Sequence, residues 1–456
     1  MQVFKRSISA RSLTAFAFEM LLVSGSLVVA TRLYGPPDDP TLLWRVAFYT
    51  ALFLACLYYN DFYDFTMVRS GREVFVRAVQ AAGVATILAA LVYIVLPTIT
   101  PEHNAFFPSL FLCLATLLVW RFAFNFVIQT PQLTENVLIV GTGPVARTLA
   151  RQIAAQHDFA YRVVGFAGPD DYTGEHEEGS PRVLGEGSEI AHLIARYGVE
   201  RIIVAVSDRR GALPIEELMH AKLSGIPVEE AATTYERIAN KLMLESLTPS
   251  SLIFSDGFRV FRWHRFVKRG VDIALSSVGI VLAAVPMALT AALVWLESGR
   301  PIIYRQQRVG EHGHPFMLYK FRSMRVDAEG DIPVWAQEGD SRATKVGHFI
   351  RLTRLDELPQ FWNVLRGDMS FVGPRPERPY FVRQLTEAIP FYPERHAVKP
   401  GLTGWAQVKY RYGASIEDAS EKLRYDLYYV KHLSLVFDLT IVIDTVKVIL
   451  FGKGAQ

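Results

Sequence analysis

The 456 residues predict a membrane protein of three parts: four transmembrane helices in residues 1–130, a Rossmann-like α/β domain in 131–255, and a third region in 256–456 that holds one more long apolar helix. Three observations predict this. Half of the residues are hydrophobic, only 20% are charged and the mean hydropathy is +0.19, whereas a soluble domain carries about 25% charge. Long charge-poor runs occur before Ile128 and again after Val271, and a strand-helix alternation begins after Thr134. The length exceeds the ~100 to 200 residues of one domain, and a net charge of +3 argues against one dominant nucleic-acid-binding field. Cys56 and Cys113, the two cysteines, lie in apolar runs, which excludes a disulfide framework or a Cys-based zinc site.

The first four runs are Leu13 to Ala30, Leu42 to Tyr59, Ala78 to Leu96 and Phe106 to Ile128, broken only by Glu19, Arg45 and Arg121. Each approaches the ~20 residues that cross a bilayer core. Proline and glycine cluster in the links, at Gly35-Pro36-Pro37 and from Pro97 to Pro101. The first run is not a cleaved signal, because no small-residue cleavage site follows it and three more spans do. Lys5, Arg6 and Arg11 precede the first span and Arg69, Arg72 and Arg77 follow the second, while the other loops hold only Arg32. Basic loops stay inside, so the N-terminus and the chain after Ile128 are expected in the cytoplasm. Near a cytoplasmic helix end, Arg121 is expected to snorkel.

A fifth run, Ile273 to Leu296, is free of charge and has Pro286 at its centre. Length alone reads as a span. The flanks disagree: Arg262, Arg265, Lys268 and Arg269 precede it and Arg300, Arg305 and Arg308 follow, so both ends favour the cytoplasmic side. Proline removes a backbone donor and clashes with the preceding turn, so a helix broken at Pro286 can enter and return on one face. A proline-kinked span is the other reading, and the residues alone leave both open.

In the middle region Asn136 to Val140 reads as a short strand, followed by Gly141-Thr142-Gly143-Pro144-Val145-Ala146 opening a helix. This is the context of a dinucleotide fingerprint. Further strands are expected near Tyr161 to Phe166 and Arg201 to Val206, and helices near Glu189 to Tyr197 and Ile215 to Leu223. The acidic residues wanted after the second strand occur only as Asp170 and Asp171, beyond Gly168-Pro169. Without a ribose partner, Gly141, Gly143 and Ala146 read as a tight turn with close helix-strand packing rather than as an NAD(P) site.

From Arg300 onward the text is dense in arginine, aromatics and proline. Arginine forks pair with phosphate oxygens bidentately, and prolines on either side of Arg375 preset its loop, so the mixture suits a diphosphate. Asp356-Glu357 opens an apolar-periodic helix at Leu355, Leu358, Phe361, Trp362 and Leu365. A carboxylate there can attack phosphorus or hold Mg2+; two acids in a first turn also simply complement the helix dipole. The chemistry alone does not choose.

Residues Lys268 to Leu450 closely resemble the bacterial sugar transferase family, the monotopic polyprenyl-phosphate phosphoglycosyl transferases. The matching blocks are Lys320-Phe321-Arg322-Ser323-Met324, Leu355-Asp356-Glu357-Leu358-Pro359-Gln360, Gly367-Asp368-Met369-Ser370, Val372-Gly373-Pro374-Arg375-Pro376 and Val398-Lys399-Pro400-Gly401-Leu402-Thr403-Gly404. The chain as a whole looks like the long form that initiates exopolysaccharide, capsule or O-antigen synthesis. The resemblance implies a mainly α (α+β) monotopic catalytic domain, with residues 272–297 as a re-entrant hairpin turning at Pro286. It implies a UDP-sugar donor, an undecaprenyl (polyprenyl) phosphate acceptor and UMP as product. Asp356 would attack the sugar-bearing phosphate to give a covalent intermediate, and Glu357 would position groups or support Mg2+. Lys320, Arg351 and Arg375 match positions near the phosphates; Arg322, Arg354 and Arg378 are further phosphate candidates and Asp426 a further metal candidate.

The implied setting is the bacterial inner membrane, among its lipids, with homo-oligomers and later glycosyltransferases as partners and no nucleic acid. The loop from Asp331 to Gly339 has no assigned role, and Lys409-Tyr410-Arg411-Tyr412-Gly413 is a candidate for sugar choice. Two other classes compete: a membrane-tethered NAD-dependent nucleotide-sugar oxidoreductase resting on Gly141, Gly143 and Ala146, and a non-catalytic scaffold of polysaccharide assembly. Residues 261–456 hold 27 Lys and Arg against 20 Asp and Glu. The mild overall charge therefore conceals a basic C-terminal half, suited to lipid headgroups and a diphosphate.

Overall fold

A computed structural model of the chain describes residues 2–3, 6–7, 10–35, 40–60, 62, 71–95, 103–128, 134–155, 161–168, 181–206, 213–255, 257–258, 262–325, 342–410, 413 and 415–451. Asp170, Asp171, the loop from Asp331 to Gly339, Arg411 and Tyr412, singled out above, lie outside them. Two compact units emerge, Ser7–Thr234 and Tyr235–Gln456.

The first unit opens with α1 (Ala10–Tyr34), α2 (Leu42–Tyr59), α3 (Gly71–Val95) and α4 (His103–Ile128). All four are long and apolar enough to cross a membrane. Helix α3 turns Ala78, Ala81, Ala82, Ala85 and Ala89 inward, and Val23, Phe53, Leu57, Cys113 and Leu117 pack in the same core. Small residues on one helix face let backbones approach closely where lipid supplies no hydrophobic drive. Leu33, Trp44, Phe107 and Phe111 point outward, at least 70% exposed. Arg121 corrects the expectation of snorkelling. It is fully buried, with Nη1 donating to Glu19 Oε1 at 3.1 Å and Nη2 to the carbonyl of Phe62, and its guanidinium lies 4.6 Å from the Phe62 ring centre. A charge at this depth is retained where a partner carboxylate waits for it, and Glu19, the one charge in the first apolar run, is that partner.

The same unit holds a parallel sheet of β1 (Glu135–Val140), β2 (Tyr161–Ala167), β3 (Val183–Gly185), β4 (Arg201–Val204) and β5 (Val228–Glu230). Its order is β3-β2-β1-β4-β5. The chain winds first to one side of β1 and then to the other, through α5 (Pro144–Ala155), α6 (Ile190–Tyr197) and α7 (Ile215–Leu223), which gives an α/β domain. Gly141 follows β1 at φ +118°, and a Cβ there would come within 2.8 Å of the Ala205 carbonyl oxygen. Gly143 faces open space, so packing requires only the first glycine of the fingerprint.

Helix α8 (Ala231–Ala239) carries the chain into the second unit. That unit starts earlier than residue 256, because ion pairs fasten residues 236–245 to its helices: Glu236 with Lys431 and His432, Lys241 with Glu421, Glu245 with Arg424. After α9 (Pro249–Phe254) comes α10 (Arg262–Ser298), 37 residues without interruption. The expected break at Pro286 is absent as a break: the proline sits inside continuous helix. Proline bends a helix without having to end it when both halves are held in place, and here both are. Lys268 Nζ donates to Asp438 at 2.7 Å, and Asp272 Oδ1 accepts from Ser370 Oγ at 3.0 Å and Phe371 N at 2.8 Å. At the other end Glu297 accepts from the backbone of Lys345 and Val346, and Arg322 Nη2 donates to Ser298 Oγ and the Gly299 carbonyl, both at 2.9 Å.

The remainder is mainly α. Strands β6 (Ile303–Val309) and β7 (Pro315–Phe321) form a hairpin, and β8 (Ser370–Val372) pairs in parallel with β9 (Gly401–Thr403). Around them lie α11 (Lys345–Leu352), α12 (Gln360–Arg366), α13 (Pro379–Ala388), α14 (Trp405–Lys409), α15 (Ile416–Lys431) and α16 (Leu435–Phe451). Trp405, Tyr428 and Tyr429 surround the Phe437 ring at the centre of the core.

Candidate active site

Asp356 and Glu357 stand in a 3-10 turn, Leu355–Glu357, between α11 and α12. The turn is entered through Arg354 at φ 59°, a left-handed conformation that a non-glycine residue adopts at a cost of ~1–3 kcal/mol. Such cost persists where the surroundings impose it. Two fasteners do so. Asn363 on α12, fully buried, donates Nδ2 to the Met317 carbonyl at 2.7 Å and accepts from Tyr319 N at 3.1 Å, fixing the turn in register with β7. Behind them, Gly373 and Gly401 bring backbone against backbone: Gly373 N donates to Thr403 O at 2.8 Å and Gly401 N to Pro374 O at 2.9 Å. A Cβ on Gly401 would stand 2.0 Å from Gly373 N. The glycines of two separate sequence blocks thus hold one loop, Pro374-Arg375-Pro376.

On this frame Glu357 Oε1 accepts from Lys320 Nζ at 2.9 Å and Arg375 Nη2 at 2.8 Å, with Arg354 Nη1 at 3.8 Å. Among the described residues none donates a hydrogen bond to Asp356, whose residue is 7% exposed. Burial opposes charge on Glu357, but Lys320, Arg375 and Arg354 outweigh it and hold the carboxyl well below its usual range. Asp356 moves the other way: burial raises its pKa, Lys320 offsets part of the rise and the Glu357 charge adds to it. Burial likewise depresses Lys320, in spite of Glu357. The arrangement separates the two acids into one anion that gathers cations and one carboxylate without a donor among the described residues.

The other predicted residues divide. Arg354 and Arg375 line a cleft of about 860 Å3, counted to its open mouth, together with Glu377, Gln407, Tyr410, Lys422 and Asp426. Arg351 and Arg378 do not line it. Arg322 is turned away: buried, it caps the C-terminal end of α10 through Ser298 and Gly299. Asp426 is 2% exposed, and its Oδ2 accepts from Arg395 Nε at 3.0 Å and Nη2 at 2.7 Å, so that oxygen serves an arginine. The same Arg395 donates Nη2 to the Arg375 carbonyl at 3.0 Å and Nη1 to Tyr392 Oη at 2.8 Å. Gln407 Oε1 accepts from Arg375 Nη1 at 2.8 Å. The sequence pointed to neither Arg395 nor Gln407 as a site residue. Arg395, four residues before Lys399-Pro400-Gly401, had as its only signal an arginine beside a block already required by the loop.

Asp426→Ala is expected to cost about 3–5 kcal/mol of stability, because it leaves Arg395 buried without its counter-charge. Denaturant unfolding of the full chain in detergent checks this, and a loss of the size of a surface pair, under ~1 kcal/mol, would refute it.

Adjacent carboxylates gathered under lysine and arginine define a site for an anionic phosphoryl substrate. A family model described as "Bacterial sugar transferase" matches residues 263–452. The N-acetylgalactosaminephosphotransferase of Aeromonas hydrophila that uses UDP-N-acetylgalactosamine and undecaprenyl phosphate is 42% identical over 239 residues, 52% of this chain and 56% of that protein. An undecaprenyl-phosphate glucose phosphotransferase of Komagataeibacter xylinus is 30% identical over 355 residues, 75% of this chain and 64% of that protein. A UDP-glucose:undecaprenyl-phosphate glucose-1-phosphate transferase of Caulobacter vibrioides is 40% identical over 190 residues, 41% of this chain and 71% of that protein. The chain belongs to the bacterial sugar transferase family. It spans about half the length of the Aeromonas relative.

Proposed function

We propose that the protein transfers a sugar 1-phosphate from a UDP-sugar to undecaprenyl phosphate at the cytoplasmic membrane face, releasing UMP, as the first membrane step of a bacterial surface polysaccharide. The observation that carries this reading is the asymmetry of the acidic pair: Lys320 and Arg375 bond Glu357, and no described residue donates to Asp356. An Asp356 oxygen attacks the sugar-bearing phosphorus. The bond from that phosphorus to the UMP oxygen breaks, UMP takes the electron pair, and the sugar phosphate remains on the carboxylate. A phosphate oxygen of the lipid then attacks the same phosphorus and the aspartyl oxygen leaves, restoring Asp356. One diphosphate replaces another, so catalysis rests on positioning and charge stabilisation by Lys320, Arg375 and Arg354.

Magnesium fits this donor set. It binds through one or two carboxylates and substrate phosphates, and Asp356 with the outer oxygen of Glu357 would supply the protein's share. Bound there, it would neutralise phosphate charge. UMP release over a panel of UDP-sugars, in membranes carrying the full chain with undecaprenyl phosphate added, tests the reaction; silence across the panel would defeat it.

We infer the topology from the same chemistry: α1 to α4 span, and α10, unbroken, keeps both of its ends on the cytoplasmic side. Asp272 and Glu297 are separated by ~38 Å along the helix at about 1.5 Å per residue. Both bond residues of the same unit, Ser370 and Phe371 at one end and Lys345 and Val346 at the other. Gly279 between them leaves room for Phe361, since a Cβ there would come within 3.0 Å of that ring. A bilayer core about 30 Å thick cannot be threaded between two ends that one domain grips. Arg265→Cys and Arg305→Cys are each expected to react with an impermeant thiol reagent only from the cytoplasmic side. Labelling from opposite sides would make α10 a span.

A further inference from the structure

The cleft beside Asp356 contains a feature that a diphosphate does not explain. Phosphate oxygens accept hydrogen bonds, and an ionised carboxylate also only accepts. Two carboxylates nevertheless line the cleft with Arg354 and Arg375, those of Glu377 and Asp426. Asp426 gives Oδ2 to Arg395, which donates to that oxygen twice. Among the described residues Glu377 accepts one side-chain hydrogen bond, on Oε2 from Arg308 at 3.4 Å, and that arginine also donates to the Pro376 carbonyl at 3.0 Å and to Gln306 Oε1 at 2.7 Å; the charges of Lys422 and Arg395 act on it as well.

The Glu377 side chain is 26% exposed and stands on a loop fixed on both sides of it. Val309 N donates to the Glu377 carbonyl at 2.9 Å, and Arg395 holds the Arg375 carbonyl two residues earlier. An acid held rigidly in a cleft that must receive phosphates is unfavourable unless the substrate brings donors to it. A UDP-sugar brings hydroxyl pairs, on its ribose and on its sugar.

Resting on the transferase reading, we propose that Glu377 accepts hydrogen bonds from a vicinal diol of the nucleotide-sugar donor, while Arg375 and Arg354 meet its phosphates. The diol belongs either to the ribose or to the transferred sugar, and the two are separable by chemistry. Lys422, whose Nζ donates to the Gly413 carbonyl at 2.8 Å, lines the same cleft, and its charge interacts with that of Glu377.

The test uses the full chain in membranes, with undecaprenyl phosphate and the UDP-sugar that the unaltered protein turns over fastest. Donors lacking the 2′- or 3′-hydroxyl of the ribose form one arm, and donors lacking single sugar hydroxyls form the other. The unaltered protein should lose about 10- to 100-fold in kcat/KM on the donor lacking the paired hydroxyl, the range for a hydrogen bond to a charged group. Glu377→Ala should lose a similar factor on the parent donor and show no further loss on that one analogue. The arm that flattens identifies the diol. Glu377→Asp, which keeps the charge and shortens the reach, guards against misfolding and should lie between the two. Retention of full kcat/KM by both variants, or the same discrimination in every arm as the unaltered protein, would overturn the proposal. If the unaltered protein releases no UMP from any UDP-sugar, the transferase reading itself fails and this assignment falls with it.

Discussion

Asp356→Asn should lower UMP release roughly 10^4- to 10^6-fold, the range seen when a covalent nucleophile is removed and only positioning by the remaining groups persists. The amide cannot attack phosphorus at a useful rate, whereas Lys320, Arg375 and Arg354 still converge on Glu357. A donor labelled in the sugar-bearing phosphate should, without acceptor, mark the unaltered protein covalently and leave the variant unmarked. Undiminished turnover, or equal labelling, would remove Asp356 from the mechanism. Stability should move in the opposite direction to activity. Burial raises the Asp356 pKa, so the folded state disfavours its charged form, and at neutral pH that charge is a stability cost. Because no described residue bonds the carboxylate, a neutral isostere relieves the cost without breaking a contact, and the variant should unfold no earlier than the parent. A buried carboxylate without donors among the described residues is destabilising; on the proposed mechanism the same isolation keeps its lone pairs available for phosphorus.

Chemistry and motif pointed to Glu357, Lys320, Arg375 and Arg354, which the structure brings together, and the different placement of the others has physical causes. The resemblance offered both Lys320 and Arg322 as phosphate ligands, and strand alternation would put them on one face. Strand β7 ends at Phe321, so the alternation stops between them; Lys320 reaches Glu357 and Arg322 turns to the end of α10. The resemblance offered Asp426 as a metal candidate, and the cation on its Oδ2 is Arg395, distant in sequence. Arg121 was misread for the same reason: its partner, Glu19, lies 102 residues away. The partition of cations between Asp356 and Glu357 was also invisible, since it depends on the register that Asn363 sets and on the backbone contact of Gly373 with Gly401. Hydropathy located all five long apolar helices. It could not show that Pro286 would remain helical, because the fastening of α10 at Asp272 and Glu297 is tertiary.

Glu357→Gln should reduce kcat/KM by about 10^2- to 10^3-fold, the loss typical of one preorganised electrostatic group, and should also shift the acid limb of the pH profile downward. The direction follows from what surrounds the nucleophile. On the proposed mechanism catalysis needs Asp356 as a carboxylate, so the rate is expected to fall as pH drops through its pKa. That pKa is raised by burial and further by the Glu357 charge, while Lys320, Arg375 and Arg354 lower it. In the unaltered protein the limb therefore lies above the ordinary aspartate value of about 3.9. Glutamine removes the neighbouring anion and leaves Lys320 and Arg375 without their shared carboxylate, so both changes favour ionised Asp356 and the limb moves to lower pH. Glu357→Asp keeps the charge and should leave the limb near its original position, even where turnover suffers from the shorter reach. A limb that stays fixed or rises in Glu357→Gln would mean that the two acids do not sense each other. The profile also separates two roles for Glu357. If it served chiefly to hold magnesium, added Mg2+ would restore the rate of the glutamine variant. If its task is to collect Lys320 and Arg375 beside an unbonded nucleophile, excess metal restores nothing and the shifted limb remains.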